Sequence, residues 1–354
     1  MPTIVITGGH HNSALVVAQE FKSKGWNVVW IGHRYSARGD THDSAEYIEV
    51  TASKIPFHDL VAGKLTMDLR ELIRFPLGIY RAYAILRKAK PSAILSFGGY
   101  LGGTVALVGK ILGIRIYLHE QTVTAGRANK FIGKLARTVY LTWPESAKYF
   151  DRAKIQVVGL PLRPSILSAK PKSLFPRRKP TLLVMGGKQG AHVINTFIFE
   201  HLSDLLPHYN IVHQTGTSSL THDYETAISL DSTLGSLADC YLPLGYIGES
   251  EIGSYLRSAD LYLGRSGAHI CYELGLLGLK SILVPLMATH DAEQHKNATI
   301  LVKAGLAQIL SQTQLSLPSL RETIKTVVKL PGKTLALPRN ASHSIVDSIT
   351  AQTK

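Results

Sequence analysis

The chain has 354 residues, 45% hydrophobic and 18% charged, with 39 Lys and Arg against 25 Asp and Glu for a formal net charge of +14. That balance excludes a disordered chain and provides enough apolar surface for two domains of ordinary size, each with its own core. Two cysteines, Cys240 and Cys271, exclude a disulfide framework, and no apolar run approaches the roughly 18–20 residues that a membrane span needs.

The N-terminal run MPTIVITGGHH enters a β-like segment directly, without a basic leader or a cleavage site, so no signal peptide is expected and the protein reads as soluble or peripheral. Short β-branched runs then recur at residues 2–7, 27–32, 92–98, 114–120, 138–143 and 155–159. Helical patterns lie between them, for example 13–24 and 102–112. Apolar runs of this length separated by helices are the pattern of a parallel sheet buried on both faces. Residues 160–180, rich in Pro, Lys and Arg, read as a linker. The alternation restarts at 181–187, 210–216, 241–247, 260–267 and 281–287, and a short helical stretch at 340–350 ends the chain. Two such arrays predict an α/β protein of two doubly wound domains facing a cleft.

Three expected strands end in glycines and lead into a helix: GGHHNSA (8–14), FGGYLGGT (97–104) and GGKQGA (186–191). Glycine there lets backbone amides approach a ligand, and helix N-termini favour anions, so a phosphate-bearing ligand is indicated. None of the three fits the dinucleotide or P-loop signatures. The basic charge is concentrated early: residues 1–160 hold 21 Lys and Arg against 11 Asp and Glu. An anionic partner follows, whether phosphorylated substrate or acidic lipid; nucleic acid is disfavoured, because that half lacks interleaved aromatic and basic motifs.

The stretch from Gly264 to Ala298 carries the most chemistry. It reads as strand, glycine turn, helix, strand, loop and helix, with Glu273 on the first turns of the first helix and Gln294 and Asn297 one turn apart on the second. Glu273 is either a hydroxyl acceptor or a carboxylate complementing the helix dipole. His10 and His11 are candidate general bases, or they cap their helix or merely contact phosphate. Glu120 ends a buried-type strand with no local partner to neutralise it, and is either solvated at the cleft or functional. Arg163, between two prolines, and Lys188, in the third loop, are either phosphate clamps or solvated charges. Residues 67–90 combine large apolar residues with Arg70, Arg74, Arg81, Arg87, Lys88 and Lys90, which suits either a core helix or docking on an anionic bilayer; Pro76 is expected to kink or divide it.

Taken together, FGGYLGG (97–103), LHEQ (118–121), GLPLRP (159–164), VMGGKQGA (184–191), HQTG (213–216), RSGA…E (265–273) and VPL…DAEQHKNA (284–298) resemble the MurG-type glycosyltransferases over nearly the whole chain. The resemblance implies a GT-B fold, with residues 1–162 forming an acceptor- and membrane-facing domain onto which 335–354 packs back, and 163–334 binding the donor. It implies transfer of N-acetylglucosamine from UDP-N-acetylglucosamine to undecaprenyl-pyrophosphoryl-N-acetylmuramyl-peptide, with inversion, at the cytoplasmic face of the bacterial membrane. Arg163, Lys188, Gln189, Ile247, the run Ala268, His269, Ile270, Cys271, Tyr272 and Glu273, and Gln294 would surround the donor, with Ile247 at the uracil, Glu273 on the ribose hydroxyls and Gln294 on the sugar. Gly8, Gly9, Asn12, Tyr100, Gly102 and Thr122 would face the acceptor, and His10, His11 and Glu120 would serve catalysis. Neither cofactor nor metal is implied, and residues 67–90 would meet the membrane.

This chain departs from the family pattern in three places. Its first loop, GGH, is three residues shorter than GGTGGH; Lys188 replaces the serine of the third loop; and Thr122 replaces the asparagine after HEQ. Three alternatives stand beside this reading: transfer of a UDP-sugar to another lipid, turnover of the UDP-sugar without an acceptor, and UDP-sugar binding without transfer.

Overall fold

The computed structural model describes all residues except 36–42, 62–68, 177, 287–291 and 354, and the side chains of residues 69–74 are likewise outside it. The chain divides into two compact units, one of Met1–Leu162 with Pro338–Lys354, the other of Arg163–Leu337.

In the first unit the order is β1 (Thr3–Thr7), α1 (His11–Ser23), β2 (Asn27–Gly32), α2 (Ala45–Ala52), β3 (Phe57–Asp59), α3 (Leu69–Ala89), β4 (Ala93–Ser96), α4 (Gly99–Ile111), β5 (Arg115–Glu120), α5 (Arg127–Leu135), β6 (Thr138–Leu141) and β7 (Ile155–Val157). The strands form one parallel sheet in the order β3-β2-β1-β4-β5-β6-β7. Every residue of β4 and β6 is buried, as expected of strands covered on both faces.

The second unit runs α6 (Pro164–Ser168), β8 (Thr181–Met185), α7 (His192–Glu200), α8 (Leu202–Leu205), β9 (Asn210–Gln214), α9 (Asp223–Asp231), β10 (Tyr241–Leu244), α10 (Ile252–Ser258), β11 (Leu261–Gly264), α11 (Ala268–Leu277), β12 (Ser281–Leu283), α12 (Glu293–Lys303), β13 (Ala307–Ile309) and α13 (Leu317–Val328). Its parallel sheet is ordered β10-β9-β8-β11-β12-β13. In each sheet the strand order reverses once, between β1 and β4 and between β8 and β11. Ligands of open parallel sheets bind beyond the strand ends at such reversals. The first two glycine loops leave β1 and β4, and the third leaves β8, so all three lie at these points.

Several elements differ from the sequence reading. Strands β3 (FHD) and β13 (AQI) were not expected, because neither forms a β-branched apolar run. The expected linker is not all open chain. It contains α6, whose Ser165 Oγ donates to the Glu249 carbonyl at 2.6 Å, while Arg257 donates to the Ile166 carbonyl at 2.9 Å. Pro76 does not divide α3, which runs unbroken from Leu69 to Ala89. The expected bilayer segment 67–90 lies partly outside the described residues, at 67 and 68 and at the side chains of 69–74. From Phe75 onward α3 has two faces. Ala82 and Leu86 are buried, whereas Leu77, Tyr80 and Tyr83 are exposed among Arg81, Arg87 and Lys88. No described helix is long and apolar enough to cross a membrane.

The last helix, α14 (Ala341–Thr353), packs against α1. Its apolar residues Ala341, Ile345, Val346 and Ile349 form one helical stripe, which enters the core around Phe21, Trp26 and Tyr140. Tyr140 donates to Ser348 Oγ at 2.9 Å. Replacing Ile345 with Ala is therefore expected to cost about 2–5 kcal/mol, and Ser344→Ala within about 0.5 kcal/mol, in urea unfolding of the full chain. Equal effects would show that the helix is not part of this core.

Candidate functional site

In the first unit the two glycine loops meet. A Cβ on Gly9 would stand 3.3 Å from the carbonyl carbon of Gly98. Gly98 itself has φ of +93°, and a Cβ there would meet Asn129 Oδ1 at 2.5 Å, so only glycine lets α4 begin this close to α5. Gly8 and His10 are partly exposed along the first loop, Gly9 is exposed, and Asn12 is partly exposed in the first turn of α1. His10 caps α1 without a side-chain cap bond. Burial, followed by the neighbouring His11, lowers its pKa to about 4, so at neutral pH it is a free base. His11 is turned to α2, its Nε2 3.1 Å from Glu49 Oε2. Tyr100 reaches His33, with 2.6 Å between the hydroxyl and Nε2.

Three expectations are corrected here. Glu120 is 1% exposed and fully engaged: the Thr122 backbone N–H donates to Oε1 at 3.0 Å, and Asn129 Nδ2 to Oε2 at 2.8 Å. A general base must reach the proton that it takes, and this carboxylate instead fastens the loop after β5 to α5. Thr122 is buried as its partner, its hydroxyl 3.1 Å from the same Oε1. Gly102 is buried within α4, where a Cβ would collide with Ser96 Oγ. These three residues are buried and bonded or packed behind the glycine loops.

In the second unit the third glycine loop meets the loop after β9. Gly190 and Gly216 have φ of +86° and +88°, and a Cβ on Gly190 would run into the Thr215 carbonyl. Lys188 and Gln189 form the tip of this turn, with Gln189 exposed and Lys188 Nζ 5.5 Å from the centre of the Tyr246 ring. Gln214, which carried no assignment from the sequence, ties two loops together. Its Nε2 donates to the Gly187 carbonyl at 3.0 Å, and its Oε1 accepts from Ile247 N at 3.2 Å. Its place at the end of β9, inside HQTG, was the available signal. Ile247 is buried.

Helix α11 starts at Ala268, with His269 and Ile270 partly exposed and Cys271 and Tyr272 buried. Burial pushes the Cys271 thiol up, so it is an inert apolar residue. Glu273 is the sixth residue of this helix and completely buried. The dipole reading therefore fails, because that effect fades within the first turn. Arg163 holds Glu273 instead: Nε donates to Oε1 at 2.9 Å and Nη2 to Oε2. The solvated-charge reading of Arg163 is corrected too, since its side chain is only 12% exposed. Burial raises the Glu273 carboxyl and Arg163 opposes that rise; burial also draws the guanidinium down, but Glu273 and Glu249 outweigh it. Ser266 Oγ donates to the Gln294 carbonyl at 2.8 Å, and Gln294 Oε1 accepts from Leu286 N at 2.9 Å, which fixes the start of α12 beside α11. Asn297 donates to the Ser266 carbonyl at 3.3 Å. Among the described residues no cluster of three or more His, Cys, Asp or Glu has the arrangement of a metal site.

Residues 4–141 match the glycosyltransferase family 28 N-terminal domain, and residues 181–352 match the glycosyltransferase family 28 C-terminal domain. The chain is 30% identical over 358 residues to the UDP-N-acetylglucosamine–N-acetylmuramyl-(pentapeptide) pyrophosphoryl-undecaprenol N-acetylglucosamine transferase of Pasteurella multocida (strain Pm70), covering 95% of this chain and 93% of that protein. It is 31% identical over 334 residues to the protein of the same name from Histophilus somni (strain 129Pt), covering 91% and 87%. Its fold is similar to the crystal structure of Acinetobacter baumannii MurG, with a TM-score of 0.75 at 24% identity over 99% of this chain and 100% of that one.

The buried histidines make the fold sensitive to acid. His213 bonds Tyr241 and Asn195 and is held down to about 3, chiefly by burial; His119, beside the Gly159 carbonyl, is held down to about 4 for the same reason. Both are neutral in the fold and take up protons on unfolding near the ordinary value of 6.5. Their contribution is complete above that pH and is lost as pH falls toward the folded values. Each is expected to remove on the order of 2 kcal/mol between pH 6.5 and 5. In urea titrations across that range, His213→Gln should flatten the pH slope; an unchanged slope would remove His213 from this account.

Proposed function

The chain belongs to glycosyltransferase family 28, and from that membership we propose that it transfers N-acetylglucosamine from UDP-N-acetylglucosamine to an undecaprenyl-pyrophosphoryl-N-acetylmuramyl-peptide, a step of peptidoglycan synthesis. The likeness to transferases of that name over 95% of the chain carries the reading. The placement of the glycine loops at both sheet reversals supports it. The donor is a substrate, and the reading needs no cofactor.

The donor binds the second unit. The diphosphate lies at the third glycine loop and the start of α11, where backbone amides, the helix dipole, Lys188 and Arg163 supply positive charge. Uracil packs at Ile247, Glu273 receives the ribose hydroxyls, and Gln294 meets the sugar through the amide that its Leu286 contact leaves over. Charge builds on UDP as the anomeric bond breaks, and the same cation set stabilises it. The acceptor diphosphate lies against the first two glycine loops, beside Tyr100. Its sugar hydroxyl attacks the anomeric carbon from the face opposite UDP, with inversion, and His10 takes the proton. His10 suits this role as a neutral imidazole, while His11 is committed to Glu49.

In a transfer assay, His10→Gln is expected to lower kcat by about 10²–10⁴-fold while UDP-N-acetylglucosamine still raises the melting temperature. Wild-type turnover in this variant would pass the base role to His11. EDTA is expected to leave transfer unchanged; its abolition would require a metal. Radiolabel from the donor should appear on the muramyl-peptide lipid and not on diacylglycerol.

The enzyme acts at the cytoplasmic face of the membrane, held by the exposed face of α3. Leu77, Tyr80 and Tyr83 enter the headgroup layer while Arg81, Arg87 and Lys88 meet anionic lipid. Replacing Leu77, Tyr80 and Tyr83 with Ser should lower co-sedimentation with anionic vesicles by about tenfold or more, with turnover on a water-soluble acceptor retained. Unchanged co-sedimentation would place membrane contact elsewhere.

A further inference from the structure

Arg163 uses only part of its guanidinium on Glu273. The remaining edge, Nη1, lies 3.6 Å from Oε1 of Glu249, a residue that the sequence reading left unassigned. Glu249 differs from Glu273 in burial, with its side chain 37% exposed against none for Glu273. It is also well anchored: the Tyr246 hydroxyl donates to Oε1 at 3.4 Å, and Ser165 Oγ donates to its carbonyl at 2.6 Å. One cation thus stands between an inner carboxylate that it covers completely and an outer carboxylate that remains in reach of solvent.

We infer that Arg163 is a removable cover on the ribose acceptor Glu273, that a diphosphate on the ligand draws it off, and that Glu249 is the positioning residue that keeps it on the outer side. This deepens the donor reading and rests on it. A buried carboxylate cannot lose its cation without a replacement. Ribose hydroxyls are neutral donors and compete poorly with a bidentate, charge-assisted pair. A diphosphate matches the guanidinium fork as a carboxylate does. A nucleoside diphosphate therefore gives Arg163 a second anion and Glu273 two hydroxyl donors in a single event. A nucleoside lacking phosphates offers only the second half of that exchange and leaves the pair closed. Ribose recognition is thereby conditional on the diphosphate.

The test is calorimetric titration of the full chain with UDP, 2′,3′-dideoxy-UDP, uridine and 2′,3′-dideoxyuridine, the nucleosides at millimolar concentration. UDP is expected to bind at least about tenfold more tightly than its dideoxy analogue, with uridine and dideoxyuridine indistinguishable. Equal discrimination at both levels overturns the cover while leaving the donor site intact. Discrimination at neither level shows that Arg163 stays on Glu273, and also overturns it. Failure to bind UDP at all overturns the donor reading and the inference together. Two variants add independent readouts. Arg163→Lys, whose single ammonium cannot cover both oxygens, should make uridine sensitive to loss of its hydroxyls; continued insensitivity counts against the cover. Glu249→Gln should weaken UDP about fivefold and leave uridine unchanged, whereas equal weakening of both would make Glu249 merely structural.

Discussion

The reversal of strand order in each sheet organises everything else. Between β1 and β4, and again between β8 and β11, the chain leaves neighbouring strands toward opposite sides, so the loops diverge and open a space beyond the strand ends. Strands buried on both faces cannot themselves carry a site. The chemistry is pushed to their carboxyl ends, where helices begin and backbone amides are unsatisfied. The glycines at Gly98, Gly190 and Gly216 all have positive φ and pack against Asn129, the Thr215 carbonyl and the Gly190 backbone, which leave no room for a Cβ.

The two units treat buried carboxylates differently. Glu120 is held by neutral donors from Thr122 and Asn129, within ten residues of itself, and stabilises a loop. Glu273 is held by a cation 110 residues away in sequence. The first arrangement is local and uses neutral donors, and the second is long-range and charged. That contrast is why burial by itself did not separate the supporting carboxylate from the one assigned to ligand recognition.

The strands were readable because runs such as Thr181–Met185 are apolar along their length and bounded by glycine or polar residues. The edge strands β3 and β13 were not, since Phe57-His58-Asp59 and Ala307-Gln308-Ile309 form no β-branched apolar run. The segment 67–90 left two readings open, and α3 accommodates both: its Ala82 and Leu86 face joins the core, and its Tyr80 face lies outside. Gly102, inside FGGYLGG, packs against Ser96, and Thr122, just after LHEQ, turns its hydroxyl to Glu120. Motif membership places a residue near a site without deciding which way it faces.

The sequence by itself determined the two parallel-sheet arrays, the three glycine loops at the ligand edge, and the family. Each of these is written in local composition: apolar runs, turn residues and short ordered motifs. Only the tertiary structure decided the partners: Arg163 on Glu273 with Glu249 beside it, His11 on Glu49, and Gln214 across two loops. These bonds join residues far apart in the chain, and no local pattern encodes the identity of a distant partner. Burial and charge settle that choice only once the sheets bring the strand ends together.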